Sequence, residues 1–225
     1  MKPTRIVLLS LAFAYILSAC GFVLEFENLR SREPADYYLF VPPNYTGDTT
    51  WPAFIFVGGF GMSGRDCLRT WMQYAEENEF ILICPDFPST GGAWLQDESE
   101  DNLVAILGAV AQEYNIKSRS FLAGFSAGAQ FVIGYTRNYP NFVAAVSVIS
   151  AGDVFPLTNP SVRRVPFLIT IGEQDPNRIN LARDFYTTLN GASFDVSLYI
   201  IEGVEHEISE SAINLTLQLF NRVNP

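Results

Sequence analysis

Apolar residues fall into short continuous runs along this chain, separated by longer stretches in which they recur on a helical period. The runs at 54–57, 80–84, 120–123, 143–149, 166–171 and 196–201 are predominantly apolar rather than alternating, the pattern of strands covered on both faces. Between and after them the spacing predicts helices over 65–78, 101–114, 127–138, 179–190 and 209–223. In the last of these Ile213, Leu217 and Phe220 share one face at i, i+4 and i+7. Two further segments, 22–29 and 37–41, are expected to form antiparallel opening strands. Alternation of strand and helix predicts the α/β class, a mostly parallel sheet flanked by helices on both faces. Ligands bind such sheets beyond the C-terminal ends of the strands. The segments following the apolar runs are therefore where chemistry should be sought.

One of them is Gly124-Phe125-Ser126-Ala127-Gly128, a G-x-S-x-G between an expected strand and an expected helix. At such a tight turn the serine backbone is strained, its side chain is presented at the sheet edge, and the glycines let strand and helix cross without clashing. The sequence contains one histidine, His206, placed after the run at 196–201. Gly172-Glu173-Gln174-Asp175 follows the preceding run. Ser126, Asp175 and His206 thus stand in the chain order Ser…Asp…His, each after a strand. A serine hydroxyl needs a base to take its proton, and imidazole titrates in the right range. The imidazole in turn needs an acceptor for its other N–H, which a carboxylate supplies. Asp175 is the expected acid, with Asp153 and Glu173 as alternatives. For a developing oxyanion, the glycine-rich turn Gly58-Gly59-Phe60-Gly61 is expected to offer the N–H of Phe60, and the serine turn the N–H of Ala127. Phe87 and Trp94 lie in segments expected near the same edge and are candidates for lining a substrate site.

The glycine-rich turn also matches a second pattern. Gly59 to Gly64 spells G-x-G-x-x-G, and Asp86 follows after the next run, as in dinucleotide-binding units. Pro85 separates that run from Asp86, and a dinucleotide leaves Ser126, Asp175 and His206 without a role. No cofactor is expected.

The N-terminal segment has Lys2 and Arg5, an apolar stretch over 6–17, and Leu17-Ser18-Ala19-Cys20. This predicts an export signal over 1–19 and a lipid-modified Cys20, with residues 20–225 as one domain. Several acyl chains on Cys20 would hold the protein to a membrane. Gly21 in place of Asp points to the outer membrane if the cell has two. The formal net charge of −10 argues against nucleic acid as a partner. Of the three cysteines, Cys67 and Cys84 remain. A disulfide between them and two buried thiols are both open. No spacing suggests a metal site.

Together these segments resemble the α/β-hydrolases, and within them the secreted esterases related to polyhydroxybutyrate depolymerases and feruloyl esterases. The resemblance runs from about Tyr37 to the C-terminus. It rests on Tyr38-Leu39-Phe40-Val41-Pro42, the glycine-rich turn at Gly58, Ile83-Cys84-Pro85-Asp86, Gly124 to Gly128, Gly172 to Asp175, and His206. It implies the α/β-hydrolase fold and serine-dependent cleavage of small, polymeric or aromatic esters by a monomer. The relatives usually have His-Gly where this chain has Gly58-Gly59. That difference removes a side chain that orders the turn but leaves the backbone donors. An acyltransferase, a serine peptidase and a non-catalytic surface-binding module share the scaffold and are the alternative readings.

Overall fold

The computed structural model describes residues 36–87, 96–153 and 157–224. The strands are β1 (Tyr37–Phe40), β2 (Ala53–Val57), β3 (Ile81–Pro85), β4 (Ser120–Phe125), β5 (Val143–Ile149), β6 (Phe167–Gly172) and β7 (Val196–Ile201). The helices are α1 (Gly64–Glu77), α2 (Gln96–Glu113), α3 (Ala127–Asn138), α4 (Ile179–Gly191) and α5 (Glu210–Val223). Among the described residues the strands make one seven-stranded sheet in the order β1-β3-β2-β4-β5-β6-β7. Only β1 runs antiparallel, paired with β3, and the remaining pairs are parallel. From β2 the chain winds outward to β3. It then crosses back to β4 on the other side of β2. The strand order therefore reverses between β2 and β4, and a crevice opens beyond their C-terminal ends.

Residues of α1 and α5 pack on one face of the sheet, and those of α2, α3 and α4 on the other. The α1–α5 face is built on aromatic rings. Phe54 and Phe121 are register partners on β2 and β4, and their ring centroids lie 5.0 Å apart. Phe80 and Trp71 stand 4.6 and 4.9 Å from Phe54, and Phe220 of α5 closes the group at 4.9 Å from Phe80. All five are fully buried. One polar pair crosses this face: the Thr216 hydroxyl donates to the Ala212 carbonyl at 2.8 Å and lies 2.7 Å from the Ser147 hydroxyl.

The helix boundaries have local causes. Helix α1 starts in a capping box, with Ser63 Oγ accepting from the Asp66 N–H and the Asp66 carboxylate accepting from the Ser63 N–H. The Ser63 N–H and the Ser63 hydroxyl both donate to the Asp66 carboxylate, at 2.9 and 2.7 Å, and hold it below its ordinary range. Helix α2 begins at Gln96, not at 101 as the apolar spacing predicts. Its first turns are largely charged and polar and carry no apolar period. Strand β4 runs on to Phe125, directly into the serine turn. The opening strand expected at 22–29 lies outside the described residues, and β1 pairs with β3.

Candidate active site

Ser126 connects β4 to α3 with φ 54° and ψ −116°, a conformation that L-residues rarely adopt. The turn is tight enough to dictate its neighbours. A Cβ on Gly124 would fall 2.4 Å from the Gly128 carbonyl oxygen, and one on Gly128 would fall 2.1 Å from that of Val57. The Ser126 N–H donates to the Ile149 carbonyl of β5 at 2.9 Å, which ties the strained turn to the sheet.

His206 and Asp175 come from the loops after β7 and β6. The loops meet because Gly172 has no side chain: a Cβ there would lie 2.2 Å from the Val204 carbonyl oxygen and 2.4 Å from that of Glu205. The N–H groups of Glu173 and Gln174 then donate to the carbonyls of Ile201 and Val204, each at 2.9 Å. In the resulting pocket His206 Nδ1 is 2.6 Å from Asp175 Oδ2, and His206 Nε2 is 3.0 Å from Ser126 Oγ. Asp175 and Ser126 are buried, at 4% and 6% exposure, whereas the imidazole is 36% exposed. This leaves one side of the ring open to an incoming molecule. With Nδ1 protonated toward the carboxylate, Nε2 is free to accept the serine proton.

The structure separates Asp175 from its two rivals. Asp153 forms an ion pair with Arg137 at 2.5 Å. Glu173 accepts a hydrogen bond from the Gly203 N–H at 3.3 Å. The Asp86 carboxylate, which a dinucleotide site would need, instead accepts from the Gly64 N–H at 3.3 Å. The turn after β2 lies directly against the serine, since a Cβ on Gly59 would be 3.2 Å from Ser126 Cβ. Among the described residues, neither the Phe60 nor the Ala127 N–H has a hydrogen-bond partner.

Phe87 is placed by its packing rather than by exposure. It is 4% exposed and packs its ring 5.1 Å from Phe131 in the core, so it supports the edge from within. Among the described residues Phe60 is a large apolar side chain that stands open on the turn after β2, at 68% exposure. Trp94 and Cys20 lie outside the described residues. Cys67 and Cys84 are joined by a disulfide from α1 to β3. No cluster of metal-ligating side chains occurs among the described residues. Two contacts escaped the sequence reading. The Phe125 ring lies 4.9 Å from the imidazole, and its only sequence signal is its place before the serine. Ser150, also at positive φ, donates to the Glu207 carbonyl at 3.4 Å, beside His206.

No protein-family model matches the sequence, and no curated protein matches it. Solved structures do resemble it. Esterase PE8 superposes with a TM-score of 0.69 at 15% identity, over 85% of this chain and 100% of that one. A ferulic acid esterase gives 0.65 at 14%, over 83% and 92%. FphF, a fluorophosphonate-binding serine hydrolase of Staphylococcus aureus, gives 0.64 at 14%, over 86% and 100%. The chain has the α/β-hydrolase fold.

Proposed function

We propose that this protein is a serine hydrolase that cleaves carboxylic esters. The observation that supports this most is the hydrogen-bonded chain from Ser126 Oγ through His206 to buried Asp175, at 3.0 and 2.6 Å. The Ser126 oxygen attacks the ester carbonyl carbon while His206 Nε2 takes its proton. Asp175 holds the ring through Nδ1 and stabilises the imidazolium. The N–H groups of Phe60 and Ala127 receive the carbonyl oxygen as it becomes negative. Collapse of the tetrahedral intermediate breaks the C–O bond, and His206 gives its proton to the departing alcohol. Water, deprotonated by His206, then attacks the acyl carbon; the bond to Ser126 Oγ breaks, His206 returns the proton to that oxygen, and the carboxylic acid departs. The esterase and serine hydrolase neighbours support the same reading. The exposed Phe60 side chain suits aromatic or polymeric esters that approach the edge from solvent.

The test combines a panel of p-nitrophenyl esters of rising acyl length and a feruloyl ester with an alkyl fluorophosphonate. Turnover is expected on short or aromatic acyl groups, with the phosphonate on Ser126. Absence of both turnover and label overturns the reading. We further propose that the protein is exported and lipid-anchored at Cys20. Labelled fatty acid should enter the wild-type protein and not the Cys20→Ser variant.

A further inference from the structure

The segment that presents the Phe60 N–H is held at its entry, where the Gly59 N–H donates to Met62 Sδ at 3.4 Å and Gly59 packs against Phe125 and Ser126, and is open beyond it. It enters through Gly58 and Gly59, and Gly61 sits at φ 77° with open space where a side chain would be. Phe60 points into solvent, and within the turn the Met62 N–H donates to the Gly59 carbonyl at 3.1 Å. Yet an oxyanion donor is effective only if its place is set before the reaction. The entry contacts fix one end of the segment, and the place of the donor then depends on where the segment leaves, at the start of α1.

Three ties converge there. The capping box closes Ser63 onto Asp66. The Gly64 N–H donates to Asp86 Oδ1, just past β3. One helical turn on, Cys67 is bonded to Cys84 of β3. The two backbones touch as well, since a Cβ on Gly64 would lie 2.8 Å from the Cys84 carbonyl oxygen. Strand β3 is itself held between β1 and β2. The exit of the loop is thus clamped to the sheet by a covalent bond and a carboxylate, both coming from the C-terminal end of β3.

We propose that the Cys67–Cys84 disulfide and Asp86 are positioning residues for oxyanion stabilisation, acting by locking the α1 end of the loop that carries the Phe60 N–H. This rests on the esterase reading above. Loss of the clamp lets the donor drift without touching Ser126, His206 or Asp175. The effect therefore falls on kcat and on transition-state affinity rather than on KM.

The test measures kcat and KM on p-nitrophenyl acetate and the Ki of an aryl trifluoromethyl ketone, whose adduct with the serine places an oxyanion in the same site. Cys67→Ala/Cys84→Ala is expected to lose about tenfold to a hundredfold in kcat, with Ki rising in parallel and KM within about twofold. Asp86→Ala is expected to lose about tenfold, and Asp86→Asn to keep most of the activity because its amide oxygen accepts the same N–H. A double-cysteine variant that is folded by circular dichroism, less stable to heat, and unchanged in kcat and Ki overturns the proposal. If that variant does not fold, the Asp86 pair decides: equal kcat for Asp86→Ala and wild type overturns it. A wild type that neither turns over ester nor takes the phosphonate at Ser126 instead defeats the underlying reading.

Discussion

Phe54 stands near the start of β2 and Gly58 just past its end, and they obey opposite rules. Around Phe54 the rings of Trp71, Phe80 and Phe121 pack at 4.6–5.0 Å, and Leu82 of β3 is its register partner. Around Gly58 and Ser126 the backbone is strained, two polar side chains are buried, and backbone N–H groups are left without partners. The first region gains from dispersion and burial. The second sets stability aside for presentation: an aligned hydroxyl, a poised base, vacant donors. The strain persists because the sheet beneath it, anchored through contacts such as Ser126 N–H to Ile149, is stable enough to impose it.

The sharpest way to separate the two regions is Ser126→Gly. Loss of the nucleophile is expected to reduce kcat by about 10⁴–10⁶, as for other triad members. The same change should raise stability by on the order of 1 kcal/mol, because glycine adopts φ 54° without strain. Chemical denaturation beside ester turnover checks both; a less stable variant breaks the contrast. Next is Asp175→Asn, expected to cost about 10⁴ in kcat by disturbing the tautomer of His206. Asp153→Asn should stay within about tenfold, since the Asp153 carboxylate is engaged with Arg137 and not with His206. A larger loss from Asp153→Asn would reassign the acid.

At the base of the strand, Phe54→Ala should cost about 3–5 kcal/mol of stability while leaving turnover per folded molecule near wild type. Urea denaturation and active-site titration with the phosphonate separate those two quantities. The smallest effect is expected from Ser147→Ala. Thr216 keeps its own donor bond to Ala212, so only one acceptor contact is lost, worth about 0.5–1.5 kcal/mol.

Much of this was legible in the sequence, for identifiable reasons. Strands buried on both faces are continuous apolar runs, so β2 to β6 stood out; β7 reads the same way but is an edge strand with Tyr199 and Ile200 exposed. The serine turn was visible because its steric demands select glycine at two fixed positions. What escaped depends on where distant segments meet. Nothing local says that Asp153 faces Arg137 across the end of α3, or that Phe87 turns inward against Phe131. Phe125 looked like a strand residue and is one, yet its ring also faces the imidazole. The early start of α2 was hidden because polar first turns give no period. The disulfide stayed open in the sequence because spacing cannot show that the first turn of α1 lies over the end of β3. The structure brings them together.

His206 is the sole histidine of the chain, and that makes the protein its own spectroscopic probe. A proton NMR spectrum contains one imidazole, so its ring signals can be assigned without isotopic labelling or a set of variants. The proton between Nδ1 and Asp175, in a 2.6 Å contact, should resonate far downfield, away from the amide envelope, and vanish in Asp175→Asn. Formation of an adduct at Ser126, arrival of a substrate analogue, or slackening of the loop after β7 would each register on that single line. The charge state of the base can therefore be followed through a catalytic cycle in the unmodified protein.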